Sequence, residues 1–265
     1  TAGIETTVCD VEWVKGCNKM DLILTSSEHS KSVFKTSKYQ SSENKNNILE
    51  ITKPIEVLFE GANLDIYKII KKFENKELYD SINSIQEDFA YIVVGHWMQG
   101  DFSHDRKNIA LTVKSFYETF KNHKNPPALI LKTCRVNASI GDKEVIQRKI
   151  DDIRDSVEGD NIPSVYLLHG EFTDKEMNEI YNHPKVKSMV SFTKGEGFGR
   201  PLLEFSLMNK PIIASGWSGH LDFLQSENVG LCGGKINNVH RSAQVKGLLI
   251  EGSQWFDIDH KFING

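Results

Sequence analysis

From Phe89 onward the chain alternates short apolar runs with runs of helical period, and that alternation limits the fold to a parallel sheet joined by crossover helices. Residues 89–94 (FAYIVV), 128–131 (ALIL), 164–168 (SVYLL), 186–192, 212–214 and 229–231 read as strands, the last closing the series. Between them, Ile109, Val113, Phe116, Tyr117 and Phe120 recur at helical spacing in a helix expected to start at Lys107. Ile146, Ile150, Ile153 and Val157 form a second stripe, and Thr173-Asp174-Lys175-Glu176 is a capping box opening a helix through Tyr181. Six strands in one direction make a Rossmann-like α/β sheet with helices on both faces. Ligands of such sheets sit at the carboxyl ends of the strands.

The most informative of those ends is SFTKGEGFGRPLLEFSLMNKPIIASGWSGHLD, Ser191 to Asp222. Residues 193–199 carry three glycines in seven, a density that lets backbone approach a ligand closely and aim N–H groups at it. Pro201 suits the first position of a helix running to Met208. That helix is apolar on nearly every side except Glu204, so it should be buried and its carboxylate should need a partner. Glu196 and Glu204 are placed to face one cleft from opposite sides of the helix N-terminus, which favours an anion such as phosphate. Read without a ligand, the same residues are a glycine turn and a core helix with an incidental glutamate.

Other strand ends add candidates. Gly95 ends the first strand, and Arg106 and Lys107 arrive where a helix dipole disfavours cations unless an anion is bound. The pair also suits a solvated surface. Lys132 follows the second strand and His169-Gly170 ends the third, either lining the site or simply exposed.

GEGFGRPLLEFSLMNKPIIAS, with Glu196 and Glu204 separated by seven residues, resembles the donor-site signature of retaining GT-B glycosyltransferases, glycosyltransferase family 4 or group 1. GIETT at Gly3, DLILTSSEHSKSVF and PIEVLFEG resemble the closing part of the N-terminal domain of the same enzymes. The resemblance implies a GT-B fold and transfer of a sugar from a nucleoside-diphosphate sugar, with retention and with neither metal nor cofactor. Glu204 would accept both ribose hydroxyls, and Glu196 would contact the transferred sugar. Gly95 and Lys107, with Arg106, would face the diphosphate. Backbone N–H groups from Phe198 to Leu203, in the run Gly197, Phe198, Gly199, Arg200, Pro201, Leu202 and Leu203, would cradle sugar and diphosphate. Lys132 would reach the same pocket, and backbone near His169 would hold the base. His96 departs from the commoner arginine after the glycine, and Asp222 stands in a departure from G-x-x-E, its role open.

On this reading residues 1–61 are the end of the acceptor-side domain, 62–88 a linker, and 89–265 the donor-binding domain. In the first part, a helix is expected around 11–17, strands at 21–25 and 55–59, a Ser26-capped helix to about Phe34, and an exposed, mobile loop over 35–47. A net charge of -4 argues against a dedicated nucleic-acid binder. Four scattered cysteines without a C-x-x-C pair fit a reduced, cytoplasmic protein; Asn137-Ala138-Ser139 is a chance-level sequon. No apolar run approaches the ~18 to 20 residues of a membrane span. A start at Thr1 and an end at Gly265 without a final helix fit a fragment. Two alternatives follow: a module that binds a nucleotide sugar without transferring it, and another GT-B enzyme such as a sugar-nucleotide epimerase. The acceptor is left unidentified. A hydrolase acid/base pair is disfavoured because a Glu204 engaged with ribose is not free for it.

Overall fold

The computed structural model describes residues 2–40, 47–135 and 138–259. Asn137 of the sequon, the middle of the polar run 35–47 and the closing Ile263-Asn264-Gly265 lie outside them.

The chain begins with α1 (Val11–Cys17), β1 (Ile23–Thr25), α2 (Glu28–Thr36), the antiparallel pair β2 (Tyr39–Gln40) and β3 (Ile48–Leu49), and β4 (Ile55–Val57), which runs parallel to β1. This is the expected β-α-β unit, built on Ile4, Cys9, Val14, Ile23, Val33, Phe34 and Ile55. The cap of α2 is Ser27, not Ser26: the Ser27 hydroxyl accepts from the Ser30 N–H. Part of the run 35–47 is ordered where a loop was expected, because Tyr39 buries its ring partly and donates its hydroxyl to the Cys9 carbonyl. The strand at 55 stops at Val57, and Leu58 and Phe59 turn outward.

The polar segment that follows packs onto the main sheet. Its helix α3 (Lys76–Asn83) buries Leu78 and Ile82, which join Tyr67 and Ile85 in one cluster with Ala90, Ile130 and Met189. Glu179 accepts the N–H groups of Glu74 and Asn75 at 2.7 and 3.2 Å, tying this segment to α6.

Next come β5 (Ala90–Val94), α4 (Ile109–Phe120), β6 (Ala128–Lys132), α5 (Ile140–Asp155), β7 (Val165–Leu168), α6 (Asp174–Asn182), β8 (Val186–Ser191), α7 (Arg200–Ser206), β9 (Ile212–Ser215) and β10 (Val229–Cys232). The six strands are all parallel in the order β10-β9-β8-β5-β6-β7. Helices α4 and α5 bury the expected stripes of Ile109, Val113, Phe116 and Ile146, Ile150, Ile153 against one face. Helices α6 and α7 bury Met177, Ile180, Leu202 and Phe205 against the other. Each such side chain contributes roughly 1.5–3 kcal/mol by leaving water. The capping box of α6 is present in both directions.

Three boundaries differ from the sequence reading. Helix α4 opens at Ile109, because Asn108 is left-handed (φ 55°) and the buried Asp105 carboxylate accepts the Ile109 N–H at 2.9 Å. Pro201 is the second residue of α7, which has only seven residues and ends before Met208. β10 is not the last strand: β11 (Gly234–Asn238) and β12 (Gln254–Ile258) form an antiparallel hairpin beyond it. All five residues of β11, GKINN, are exposed, so no apolar alternation marks it.

Candidate functional site

Strands β5 and β8 lie side by side, but their following helices leave toward opposite faces of the sheet. That reversal is the switch point of the sheet, and ligands of such sheets sit there, in the crevice outside the carboxyl ends of the strands. The loop after Gly95 enters it from one side and the glycine turn after β8 from the other.

Glu196 is the electrostatic centre, 6% exposed. Lys107 Nζ lies 2.5 Å from Oε1, and Arg106 Nη1 3.4 Å from Oε2, the same Arg106 nitrogen donating to the Gly195 carbonyl at 2.8 Å. Burial by itself would raise the Glu196 carboxyl; Lys107 and then Arg106 outweigh it and hold the group down at about 2. Burial likewise pulls the Lys107 ammonium down, against the attraction of Glu196. The anion that answers these two cations is therefore a side chain of the protein, and neither cation sits inside α4. Two residues without an assigned role join the group. Glu5 feels Arg106, Glu196 and Lys107, and burial raises its carboxyl. His220 is buried, Nε2 donating to the Ser215 carbonyl at 2.7 Å, and burial lowers its imidazole.

Glu204 lies in a different setting. Its neighbours are Tyr67, Tyr181 and Asp174, and burial, then Asp174, push it up to about 7. Tyr67 donates to Asp174 at 3.1 Å, while the buried Tyr181 hydroxyl has no partner within hydrogen-bonding distance among the described residues. Two phenols, Tyr67 and Tyr181, act against that rise, and the first is supplied by the segment before β5.

Between the two glutamates, the turn itself is tied from outside. Glu196 O accepts from Gly219 N at 3.0 Å, and Gly197 O accepts hydroxyls from α2. Among the described residues, the N–H groups of Gly197, Phe198 and Gly199 have no protein acceptor, although all three residues are buried. Such a run of unsatisfied donors suits an anion. The glycines also serve the chain's own packing: a Cβ on Gly195 would lie 1.8 Å from the Glu5 carbonyl oxygen, and one on Gly197 2.8 Å from Gly3 Cα.

The remaining candidates divide. The Lys107 stem passes over Gly95, with Cδ 3.4 Å from where a Cβ would be. His96 Nδ1 is 3.2 Å from the Cys134 thiol, and Lys132 lies 5.6 Å over the Phe172 ring. His169 is turned to Asp142, 3.2 Å away. Arg200, mostly exposed, pairs with Glu60 at 3.0 Å. Phe198 packs edge-on against Phe59 at 4.9 Å. Asp222, whose role the sequence left open, accepts the Glu28 N–H at the start of α2 at 2.9 Å. Lys194 points away from the crevice, paired with Asp257 and 5.3 Å over the Trp255 ring, and burial lowers it to about 8. Among the described residues no group of three or more His, Cys, Asp or Glu is placed to hold a metal ion. No described helix is long and apolar enough to cross a membrane.

No family model and no curated protein sequence matches the chain. Solved structures do. A sucrose-phosphate synthase from Thermosynechococcus elongatus matches 83% of the chain and 47% of its own length with a TM-score of 0.56 at 13% identity. An E. coli trehalose-6-phosphate structure bound with UDP-2-fluoro glucose matches 83% and 51% with a TM-score of 0.57 at 13% identity. A UDP-forming trehalose-phosphate synthase from Burkholderia xenovorans matches 83% and 52% with a TM-score of 0.54 at 13% identity. The chain spans about half the length of these neighbours. At such identity the likeness is one of fold: a six-stranded parallel sheet between helices, as in the Rossmann-like domain of GT-B structures.

Proposed function

We propose that the crevice binds a nucleoside-diphosphate sugar and that the chain carries the donor site of a retaining, metal-independent glycosyltransferase of the group 1 type. The observation that supports this most is the pairing of a buried, ionised Glu196 with Lys107 and Arg106 beside three acceptor-less N–H groups at the sheet's switch point.

In this reading the diphosphate lies against Lys107, Arg106 and the N–H groups of the glycine turn, with Gly95 allowing close approach. As the anomeric C–O bond breaks, its electron pair goes to the phosphate oxygen, and these groups stabilise the charge that develops there. The acceptor hydroxyl attacks from the same face, and its proton passes to the departing phosphate. Glu196, fixed by its cations, accepts hydroxyls of the transferred sugar, and Glu204 those of the ribose. His96, Lys132 and backbone near His169 complete the nucleotide end, and Arg200 lies at the rim. The E. coli neighbour holds UDP-2-fluoro glucose, which makes UDP-glucose the first donor to test. The four free cysteines accord with work in the cytoplasm.

Hydrolysis to water replaces the unidentified acceptor in the test. Incubation with UDP-, GDP- and ADP-glucose should release one nucleoside diphosphate slowly, with α-glucose appearing first by proton NMR. Glu196→Gln should slow it about a hundredfold or more. Binding without any release, or release of β-glucose first, would refute retaining transfer.

A further inference from the structure

Three serine hydroxyls converge on the carbonyl of Gly197. Ser27 Oγ lies 2.6 Å from it, Ser26 Oγ 2.9 Å and Ser30 Oγ 3.4 Å, and all three serines are essentially fully buried. Ser26 and Ser27 immediately precede α2 and Ser30 lies in its first turn, 167 to 171 residues away in sequence. Ser30 Oγ also accepts the Ile4 N–H at 2.9 Å, joining the first segment to the same point. The preceding carbonyl, Glu196 O, is held by Gly219 N.

These contacts fix two successive peptide planes. In a trans peptide the N–H points opposite to the C=O, and the described chain has no cis bond. With the Gly197 carbonyl turned toward α2, the Phe198 N–H must point to the other side of the turn; with the Glu196 carbonyl held by Gly219, the Gly197 N–H is fixed too. Both are among the donors without a protein acceptor.

We propose that Ser26, Ser27 and Ser30 are positioning residues, which aim the N–H groups of the glycine turn at the diphosphate of the donor. The inference rests on the donor-site reading above. It makes the first β-α-β unit part of the donor site without touching the ligand.

The test uses Ser27→Ala, the conservative Ser27→Thr, which keeps a hydroxyl, and Ser26→Ala/Ser30→Ala, which leaves the α2 cap intact. The Gly197 carbonyl carbon-13 shift is read first, then affinities for UDP, GDP and ADP and for their nucleosides. In Ser27→Ala and in the double variant the carbonyl signal should move upfield, and affinity for the diphosphate should fall about tenfold while the nucleoside is unaffected. Ser27→Thr should restore both. Equal losses for nucleoside and diphosphate would mean general loosening and overturn the positioning role, as would an unmoved carbonyl signal. If the unsubstituted protein binds no nucleotide, the donor-site reading falls and this role with it, while the carbonyl shift still shows whether the hydrogen bonds exist.

Discussion

Lys107→Met should be the most damaging single change in the crevice, costing about 3–5 kcal/mol of stability as well as donor affinity. The reason is what it leaves behind. Glu196 is buried with its nearest cation 2.5 Å away, and the remaining Arg106 reaches it only at 3.4 Å. Burial is the largest influence on this carboxyl and acts to raise it; without Lys107 it is opposed mainly by one longer contact. In the wild type the group's folded value, about 2, lies below the ordinary 4.5. Its stabilising contribution is therefore complete above about 4.5 and disappears as pH falls through about 2. In Lys107→Met that acid-side loss should begin at higher pH. Glu196→Gln alone should be milder, and Lys107→Met/Glu196→Gln should recover most of the stability and none of the donor binding. Urea titration of the four proteins between pH 3 and 8, with parallel nucleotide binding, measures this; additive losses in the double variant would contradict the buried pair.

Glu204 should show the opposite pH behaviour. Its folded value, about 7, lies above the ordinary 4.5, so the folded state holds the proton more tightly than the unfolded state. Stability should accordingly decline as pH rises from about 4.5 to about 7 and level off beyond. Glu204→Gln should lack that decline. Ribose hydroxyls need an acceptor, and the ionised carboxylate, acceptor-only on both oxygens, serves the pair better than the protonated form, which must place a donor of its own. Nucleotide binding near neutral pH should therefore release part of a proton, and affinity should climb as pH approaches about 7. Calorimetry in buffers of different ionisation enthalpy detects the release. An unchanged proton count on binding would separate Glu204 from the ligand.

The sheet was legible because its strands and helices carry strong periodicities: the stripes of α4 and α5 are continuous, and the capping box of α6 lies wholly within four residues. What failed was decided over longer distances or by single side chains. The β11–β12 hairpin is held by backbone pairing and by Trp255 and Phe256 on one strand, while its partner is exposed throughout. The start of α4 is set by Asp105 and a left-handed Asn108, neither of which breaks the helical pattern. In the site, Glu196, Glu204, Lys107 and Arg106 were visible from motif and position. Glu5, Tyr67 and Ser27 were not, nor was the role of Asp222, because each reaches its partner from a remote segment. The glycine turn was read as space for a ligand; part of that space holds the chain's own residues 3–5.

The most direct test of the donor site is calorimetric titration of the protein and of Glu204→Ala with UDP, GDP, ADP and their glucose conjugates. One nucleotide series should bind the unsubstituted protein, and the variant should lose most of that affinity. Binding of none, or equal binding by the variant, would contradict the assignment of this crevice.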